Sequence, residues 1–208
     1  MDKLLILGAG GHGRVIADIA LRRREYRHIA FLDDDESILP FEGIEVIGPI
    51  ESASRYIGEY EMIVAMGENW TRKRIQCALE ARGGVFPVLT HPGAIISASV
   101  VLGQGTVVMA GAILNCGSHV GRGSIVNTAA VIDHDGKLGE FVHLSPGACL
   151  AGGVTVGDGT WIGTGAHISD HIAICGNCVI GVGAAVVRNI DIPGTYIGVP
   201  VKKYKSKL

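Results

Sequence analysis

A repeat of six residues runs through the second half of the chain. From residue 96 to residue 192 every sixth position is Ile, Leu or Val, and the residues between are rich in Gly, Ser, Thr and Asp. A step of six walks around a helix of 3.6 residues per turn, so no helix could keep these side chains on one face. The period instead predicts a coil with three flat faces and one hexapeptide on each face. The aliphatic positions are Ile96, Leu102, Val108, Leu114, Val120, Val126, Ile132, Leu138, Leu144, Leu150, Val156, Ile162, Ile168, Ile174, Ile180, Val186 and Ile192.

Small residues at a second fixed position support this coil. The residue four places after each aliphatic one is most often Ala, Ser, Thr or Gly, as at Thr106, Ala130 and Ala148. The residue directly after the aliphatic one is often Gly, which we expect where a corner needs an unusual φ. Eighteen residues make one coil, and neighbouring coils stack about 4.8 Å apart, the spacing of β-strands. The pattern predicts a parallel β-helix of between five and six coils, because a Gly-rich linker would not keep an aliphatic residue in register.

The first ninety residues read as a strand, a glycine turn, a helix and a second strand. The apolar run from Lys3 to Leu7 leads into the turn Gly8–Gly13, and the second strand from His28 to Leu32 ends in Asp33 and Asp34. This order is a Rossmann-like βαβ unit, and its glycines match the pattern G-x-G-x-x-G. The acidic residues stand where a ribose-binding carboxylate belongs.

The usual ligand of such a glycine turn is a dinucleotide cofactor, but the chain is too short for one. Only about ninety residues precede the repeat, which is room for one mononucleotide-binding half. One half suits a sugar nucleotide whose diphosphate rests on the backbone amides at the helix start. We assign residues 1–90 to a nucleotide-sugar-binding domain and residues 91–208 to the β-helix with a short C-terminal tail. A structural turn without a ligand is the alternative.

Charge and apolar content exclude several classes of protein. A net charge of -2 gives no electrostatic footprint for nucleic acid or anionic lipid. The chain holds no apolar stretch of transmembrane length and opens without a secretory signal. Its five cysteines are scattered and odd in number, which argues against a secreted disulfide framework. We expect a cytoplasmic protein without nucleic-acid or membrane partners.

Several segments together resemble those of a known family. They are GAGGHG, FLDDD, VAMGEN, LTHPGA, VNTAAVIDHD, HLSPGACLAGGVTVG and IGVPVK. With them the chain resembles bacterial sugar O-acyltransferases and nucleotide-sugar N-acetyltransferases of the sialic-acid O-acetyltransferase (NeuD-like) type. Within that group it is most similar to the PglD enzymes, which acetylate UDP-4-amino-4,6-dideoxy sugars. The resemblance implies a left-handed β-helix, a homotrimer, acetyl-CoA bound between neighbouring subunits, and a nucleotide-sugar site in the N-terminal domain.

The resemblance also implies roles for residues of the β-helix. The general base of the family, a His followed by an acid, falls on His134 and Asp135. A second family histidine, near acetyl-CoA, falls on His143, and the Asn of the N-T motif falls on Asn127. The glycine whose backbone amide receives the acetyl oxygen falls on Gly152.

In the N-terminal domain the resemblance implies a nucleotide-binding loop. It maps to Gly11, His12 and Gly13, with Asp33 and Asp34 below it. We therefore expect these five residues to contact the nucleotide sugar.

The chemistry of acetyl transfer supports the same site without the family. Transfer to an amine needs a base for the amine proton and a donor for the oxyanion. An imidazole, with an ordinary pKa of about 6.5, suits the base role. The repeat places His134 and Gly152 at equivalent points one coil apart, about 4.8 Å along the axis. Asp133 and Asp135 flank His134, and either could hold the imidazole in one tautomer.

We therefore expect acetyl-CoA-dependent N-acetylation of a 4-amino-4,6-dideoxy sugar carried on UDP or dTDP. The alternatives are a sialic-acid-type sugar O-acetyltransferase, a zinc-dependent β-helix hydratase and a non-catalytic trimeric scaffold. The segment His167–His171 departs from the family pattern V-[IL]-P-[GN], but two histidines and one aspartate there make a poor metal site. No metal is expected, and Cys175 and Cys178 are expected to pack rather than to act in redox chemistry. The sequence leaves open which base and which hexose are used.

Overall fold

The computed structural model describes residues 1–35 and 37–204 and divides them between two compact units, 1–92 and 93 onward. Residues 205–208 of the predicted C-terminal tail lie outside the described residues. None of the helices in the described ranges combines the length and apolar character needed to cross a bilayer. The first unit contains, in chain order, β1 (Lys3–Leu7), α1 (Gly11–Arg23), β2 (His28–Leu32), a 3₁₀ helix (Ile50–Tyr56), β3 (Glu61–Val64), α2 (Asn69–Glu80) and β4 (Leu89–Thr90).

A parallel sheet in the order β2-β1-β3 forms the centre of the first unit. Its middle strand is fully buried from Leu4 to Leu7, as expected for a parallel strand covered on both faces. The chain crosses from β1 through α1 to β2 on one side, and then returns to place β3 on the other side. The strand order therefore reverses at the carboxyl ends of β1 and β3, where open α/β sheets bind their ligands. The predicted Rossmann-like α/β fold is confirmed.

Two glycines of the fingerprint are required by the packing of α1 on the sheet. A Cβ atom on Gly13 would overlap the carbonyl oxygen of Gly8. Gly8 has a φ of 110°, and a Cβ there would lie 3.1 Å from the carbonyl oxygen of Ala65. Gly10 and Gly11, in contrast, have open space around the position of a Cβ. Gly8 and Gly13 thus allow α1 to pack closely on the strands, and Gly10 and Gly11 between them have room for a side chain.

The second unit is a parallel β-helix, as predicted. Each strand pairs with the strand of the next coil eighteen residues later, so that Ile132 lies beside Leu150. The strands are β5 (Ile95–Ile96), β6 (Val101–Leu102), β7 (Val107–Val108), β8 (Ile113–Leu114), β9 (His119–Val120), β10 (Ile125–Val126), β11 (Val131–Ile132), β12 (Lys137–Leu138), β13 (His143–Leu144), β14 (Cys149–Leu150), β15 (Thr155–Val156), β16 (Trp161–Ile162), β17 (His167–Ile168), β18 (Ala173–Ile174), β19 (Cys178–Ile180), β20 (Ala185–Val186), β21 (Gly194–Ile197) and β22 (Lys202–Lys203). The three faces contain the strand series β5-β8-β11-β14-β17-β20, β6-β9-β12-β15-β18 and β7-β10-β13-β16-β19-β21, with β22 pairing antiparallel to β21.

The glycines directly after the aliphatic residues do not have a left-handed backbone, so our explanation for them was wrong. A Cβ on Gly121 would lie 2.5 Å from the carbonyl carbon of Gly139 in the next coil, and space between coils is what requires glycine there. The left-handed residue stands two places further on, three after the aliphatic one, and is most often Gly. The residues with a side chain that take this conformation in the β-helix are Ala129, Asp135, Phe141, His171 and Asn177.

The six-residue register ends earlier than the sequence suggests. Ile192 is 61% exposed, whereas Ile190 is 4% exposed and bridges to Ile174 of the preceding coil. The Asn189 side-chain oxygen accepts a hydrogen bond from the Ala173 amide at 3.0 Å, which tightens this coil. The prediction that Ile192 fills the interior was therefore wrong.

The glycine packing predicts that only one of two alanine substitutions in the same turn is destabilising. Gly13→Ala should lower the free energy of unfolding of the first unit by about 1–3 kcal/mol, because its methyl group would force α1 away from the sheet. Gly11→Ala is the matched control, since its Cβ meets no atom within 4 Å. The measurement is urea unfolding followed by the helical circular dichroism signal, which comes from α1 and α2. Equal stability of the two variants would contradict the packing explanation.

Candidate active site

His134 lies in the turn after β11 and is paired with the next residue. Its Nδ1 atom is 2.9 Å from Oδ2 of Asp135. A carboxylate only accepts hydrogen bonds, so Nδ1 carries the proton and Nε2 keeps a free lone pair. Asp135 has a φ of 60°, the left-handed conformation that Asp tolerates better than most residues. The corner conformation of the coil thus places the carboxylate beside the ring and leaves Nε2 as a base.

Asp133, the other acidic neighbour, holds the backbone of the turn instead of the ring. Its Oδ1 atom accepts hydrogen bonds from the His134 amide and from Nδ2 of Asn115, both at 2.7 Å. The hydrogen bond from Asn115, followed by that from the His134 amide, lowers the pKa of Asp133 below its ordinary value. Sequence reasoning missed Asn115, although it stands eighteen residues before Asp133 and therefore beside it in the preceding coil.

The imidazole of His134 lies across Gly152 of the next coil, as the repeat predicted. A Cβ on Gly152 would be 2.6 Å from Cε1 of His134 and closer still to Nε2. Any other residue at position 152 would therefore displace the ring. The glycine creates a bare stretch of backbone directly beside the basic nitrogen.

The backbone amide of Gly152 donates no hydrogen bond to any residue in the described ranges. The amide of His134, one coil earlier, is instead capped by Asp133 at 2.7 Å, and the amide of Thr128, in the turn after β10, is capped by Asn127 at 2.8 Å. Ala151 precedes Gly152 and has no acceptor to offer. A hydrogen-bond donor is thereby left open next to Nε2 of His134.

The charges around His134 favour its protonated form. The hydrogen bond that His134 donates to Asp135 is the largest cause, followed by the charge of Asp133, and together they raise the pKa of His134 above the ordinary value. About half of the side chain is exposed to solvent. The ring is therefore a stronger base than a free imidazole, at the cost of being protonated at a higher pH.

A second group of side chains stands on the face of β10, β13 and β16. Nδ2 of Asn127 donates to Nε2 of His143 at 3.2 Å, and the His143 ring stacks on Trp161 with centroids 6.0 Å apart. Nε1 of Trp161 donates to the Ser145 hydroxyl at 2.7 Å. The structure thus brings together Asn127 and His143, which the resemblance connects with acetyl-CoA. Trp161 was missed, although it follows His143 by eighteen residues.

The two aspartates after β2 bind backbone amides of the first unit. Oδ2 of Asp33 accepts from the Ala9 amide at 2.7 Å, which joins the glycine turn to the end of β2. Oδ1 of Asp34 accepts from the Ile50 amide at 2.9 Å, at the start of the 3₁₀ helix. Gly11 and His12 open α1, whose N-cap, Gly10, supplies no side-chain hydrogen bond.

The uncapped start of α1 is suited to an anion such as a diphosphate. Gly13 shapes this start of the helix through its packing against Gly8. Contacts of Gly11, His12, Gly13, Asp33 and Asp34 with a nucleotide stay predictions. A separate cavity of about 550 Å³ lies in the same unit, which is large enough for a small ligand. Its polar lining residues are Asp34, Glu51, Ser54, Thr71, Arg74 and Arg82.

The cysteines and the other histidines were considered above as packing or metal-binding residues. Within 1–35 and 37–204 no three His, Cys, Asp or Glu side chains are grouped so as to hold a metal ion. The sulfur atoms of Cys175 and Cys178 are 3.5 Å apart as free thiols. Burial, together with the contact to Cys175, raises the pKa of Cys178 to about 11, which keeps it protonated.

Comparison with known proteins relates both units to one family. Residues 3–79 match the family model of the PglD N-terminal domain. The acetyltransferase domain of PglB from Neisseria gonorrhoeae FA1090 is 40% identical, and the match covers 98% of this chain and 100% of that one with a TM-score of 0.95. The chain belongs to the PglD-like acetyltransferase family.

Two similar structures contain ligands, and one further relative is known by sequence. The same PglB domain in complex with acetyl coenzyme A has a TM-score of 0.93 over 98% of this chain and 99% of that one. PerB from Caulobacter crescentus, in complex with CoA and GDP-perosamine, is 34% identical over 98% of this chain and 97% of that one, with a TM-score of 0.91. UDP-N-acetylbacillosamine N-acetyltransferase of Bacillus subtilis (strain 168) is 39% identical over 115 residues, 53% of this chain and about half (52%) of the curated relative.

The pairing of His134 with Asp135 predicts the effect of removing the charge alone. In Asp135→Asn the amide oxygen can still accept from Nδ1, and Asn tolerates the left-handed backbone, but the negative charge is lost. We expect the pKa of His134 to be above 6.5 in the wild type and lower in the variant, as measured by NMR titration of the imidazole. Asp158→Asn is the control, since Asp158 caps the Glu140 amide. An unchanged pKa in Asp135→Asn would show that the carboxylate does not control the ring.

Proposed function

We propose that this protein transfers the acetyl group of acetyl-CoA to the amine of a nucleotide-linked 4-amino-4,6-dideoxy sugar. The observation that carries the proposal is the basic Nε2 of His134 lying over Gly152, whose amide is open to a ligand. A base and an oxyanion donor in one place are what acyl transfer to an amine requires. The relatives described above act on amino sugars or bind CoA, which favours an N-acetyltransferase over the sialic-acid-type O-acetyltransferase.

The reaction proceeds by direct transfer. The amine nitrogen attacks the thioester carbon while Nε2 of His134 takes the amine proton, and Asp135 stabilises the imidazolium that forms. The negative charge on the carbonyl oxygen is received by the Gly152 amide. The carbon–sulfur bond then breaks, giving the N-acetylated sugar and CoA thiol once the sulfur is protonated. A general base typically contributes about 10²–10⁴-fold, and one oxyanion donor about 2.7–4 kcal/mol.

The two substrates are assigned to different parts of the chain. The diphosphate of the sugar nucleotide is assigned to the start of α1, with Gly11 and His12, because helix N-termini bind anions. Asn127 and His143 are assigned to acetyl-CoA. The same proposal includes a UDP- or dTDP-linked sugar, a homotrimer with acetyl-CoA between subunits and a cytoplasmic location. These three points stay predictions.

The function is tested by CoA-thiol release with a panel of UDP-, dTDP- and GDP-linked 4-amino sugars. One of them should support release, and His134→Ala should lower its kcat by about 10²–10⁴-fold with little change in either KM, because a base acts in the transition state. His143→Ala should raise the KM for acetyl-CoA more than it lowers kcat. Near-wild-type kcat in His134→Ala, with activity abolished in His143→Ala, would reverse these roles. Tighter binding of NAD(H) than of any sugar nucleotide would overturn the assignment of the first unit.

The open amide of Gly152 gives an independent test of the oxyanion site. Ala151→Asn would introduce the same side-chain cap that Asn127 supplies to Thr128 and would occupy the Gly152 amide. We expect kcat to fall by about 10²–10³-fold, the typical effect of losing one oxyanion donor. Val187→Asn is the matched control, because Val187 is an exposed residue at the equivalent position two coils later. Unchanged kcat in Ala151→Asn would show that this amide does not bind the acetyl oxygen.

A further inference from the structure

A second imidazole lies against the same pair of glycines as His134. Gly152 and Gly153 are adjacent, and the coils on either side contribute one histidine each. A Cβ on Gly152 would collide with the ring of His134, and a Cβ on Gly153 would lie 2.5 Å from Nδ1 and 2.9 Å from Cε1 of His171. His134 comes from the preceding coil and His171 from the following one. The two rings therefore cover one short stretch of bare backbone from opposite directions.

The backbone of His171 is tied to the peptide of Gly152. Its amide donates to the Gly152 carbonyl oxygen at 2.8 Å, so the carbonyl is held while the amide of the same residue stays open. His171 takes the left-handed corner position with a φ of 55°, where most coils have glycine. The imidazole itself makes no hydrogen bond to any residue within 1–35 and 37–204 and is exposed to solvent. A histidine in a backbone conformation that is uncommon for residues with a side chain thus places its imidazole beside Gly153.

Acetyl transfer needs a second proton transfer that His134 is poorly placed to perform. When the tetrahedral intermediate collapses, the sulfur of CoA leaves as a thiolate and requires a proton. His134 is then occupied by the proton of the amine. The attacking nitrogen and the leaving sulfur occupy different positions on the tetrahedral carbon, whose oxygen the proposed function assigns to the Gly152 amide. With His134 assigned to the nitrogen, a donor for the sulfur is a second group close to the glycine pair.

We propose that His171 is the general acid that protonates the departing sulfur of CoA. This inference rests on the proposed function. In the step, the carbon–sulfur bond breaks, its electron pair stays on sulfur, and the imidazolium of His171 gives its proton to that sulfur. His171 becomes neutral and His134 holds the amine proton. Exchange with water then returns both rings to their starting states, so that one amine and one thioester yield one amide and one thiol.

The inference is tested by changing the leaving group instead of the acceptor. The variants are His171→Gly and His171→Asn, both of which suit a left-handed backbone and should fold. The donors are acetyl-CoA and S-acetyl-4-nitrothiophenol, whose thiolate leaves without assistance. With acetyl-CoA both variants should lose about 10²-fold in kcat, the lower range for an acid–base group. With the aryl thioester they should match the wild type, and added imidazole should restore part of the His171→Gly rate with acetyl-CoA.

The controls separate this role from a structural one. His134→Ala should slow both donors alike, because the amine proton must be removed in each reaction. His119→Ala, a change of an exposed histidine on β9, should leave both rates unchanged. Equal losses with both donors in the His171 variants, or a raised KM for acetyl-CoA with unchanged kcat, would overturn the acid role. Wild-type protein inactive with every nucleotide sugar would overturn the proposed function and this inference together, whereas His171 variants that keep the wild-type kcat with acetyl-CoA would overturn this inference alone.

Discussion

The eighteen-residue register of the backbone ladder is the constraint on which the active site depends. Because each strand pairs with the strand of the next coil, every residue lies beside the one eighteen places away, about 4.8 Å along the axis. Neighbouring side chains in such a row compete for the same space. His134 can extend across the next coil only because that coil has glycine at position 152. The contact between base and bare amide is thus fixed by hydrogen bonds in the ladder, and the loops need not be ordered by substrate.

The second constraint is the left-handed corner residue of each coil. Glycine meets this requirement at most corners, and a side chain there is an exception to the local rule. Two of the exceptions, Asp135 and His171, lie on either side of the Gly152–Gly153 pair. Such departures are expected where function outweighs local preference. At Asp135 the departure aims a carboxylate at Nδ1 of His134, whereas Asp133, directly after β11, binds the His134 amide and Asn115 instead.

Periodicity alone predicted the β-helix and the contact between His134 and Gly152, since both follow from counting residues. It could not decide between Asp133 and Asp135, because the answer depends on a backbone torsion angle. Asn115 and Trp161 could have been found by the same count of eighteen applied to each candidate residue. Ile192 was misplaced because the shortening of the last coil involves the Asn189 side chain, which has no periodic signal. The packing role of Gly13 could not be predicted, because its collision with the Gly8 carbonyl depends on the distance between helix and strand.

The electrostatics of His134 involve a compromise that follows from its position. The carboxylate beside Nδ1 raises the pKa of His134 and so makes the ring a stronger base. In the proposed mechanism this has a drawback, because a ring that is already protonated cannot accept the amine proton. Catalysis is favoured when the pKa of the base is close to the working pH. Solvent moderates the effect, since about half of the His134 side chain is exposed and water weakens the attraction between ring and carboxylate. Substrates that cover the turn would remove this water and strengthen the ion pair at the moment when the imidazolium forms. In the proposed mechanism the pairing therefore contributes most in the transition state, where stabilisation increases the rate.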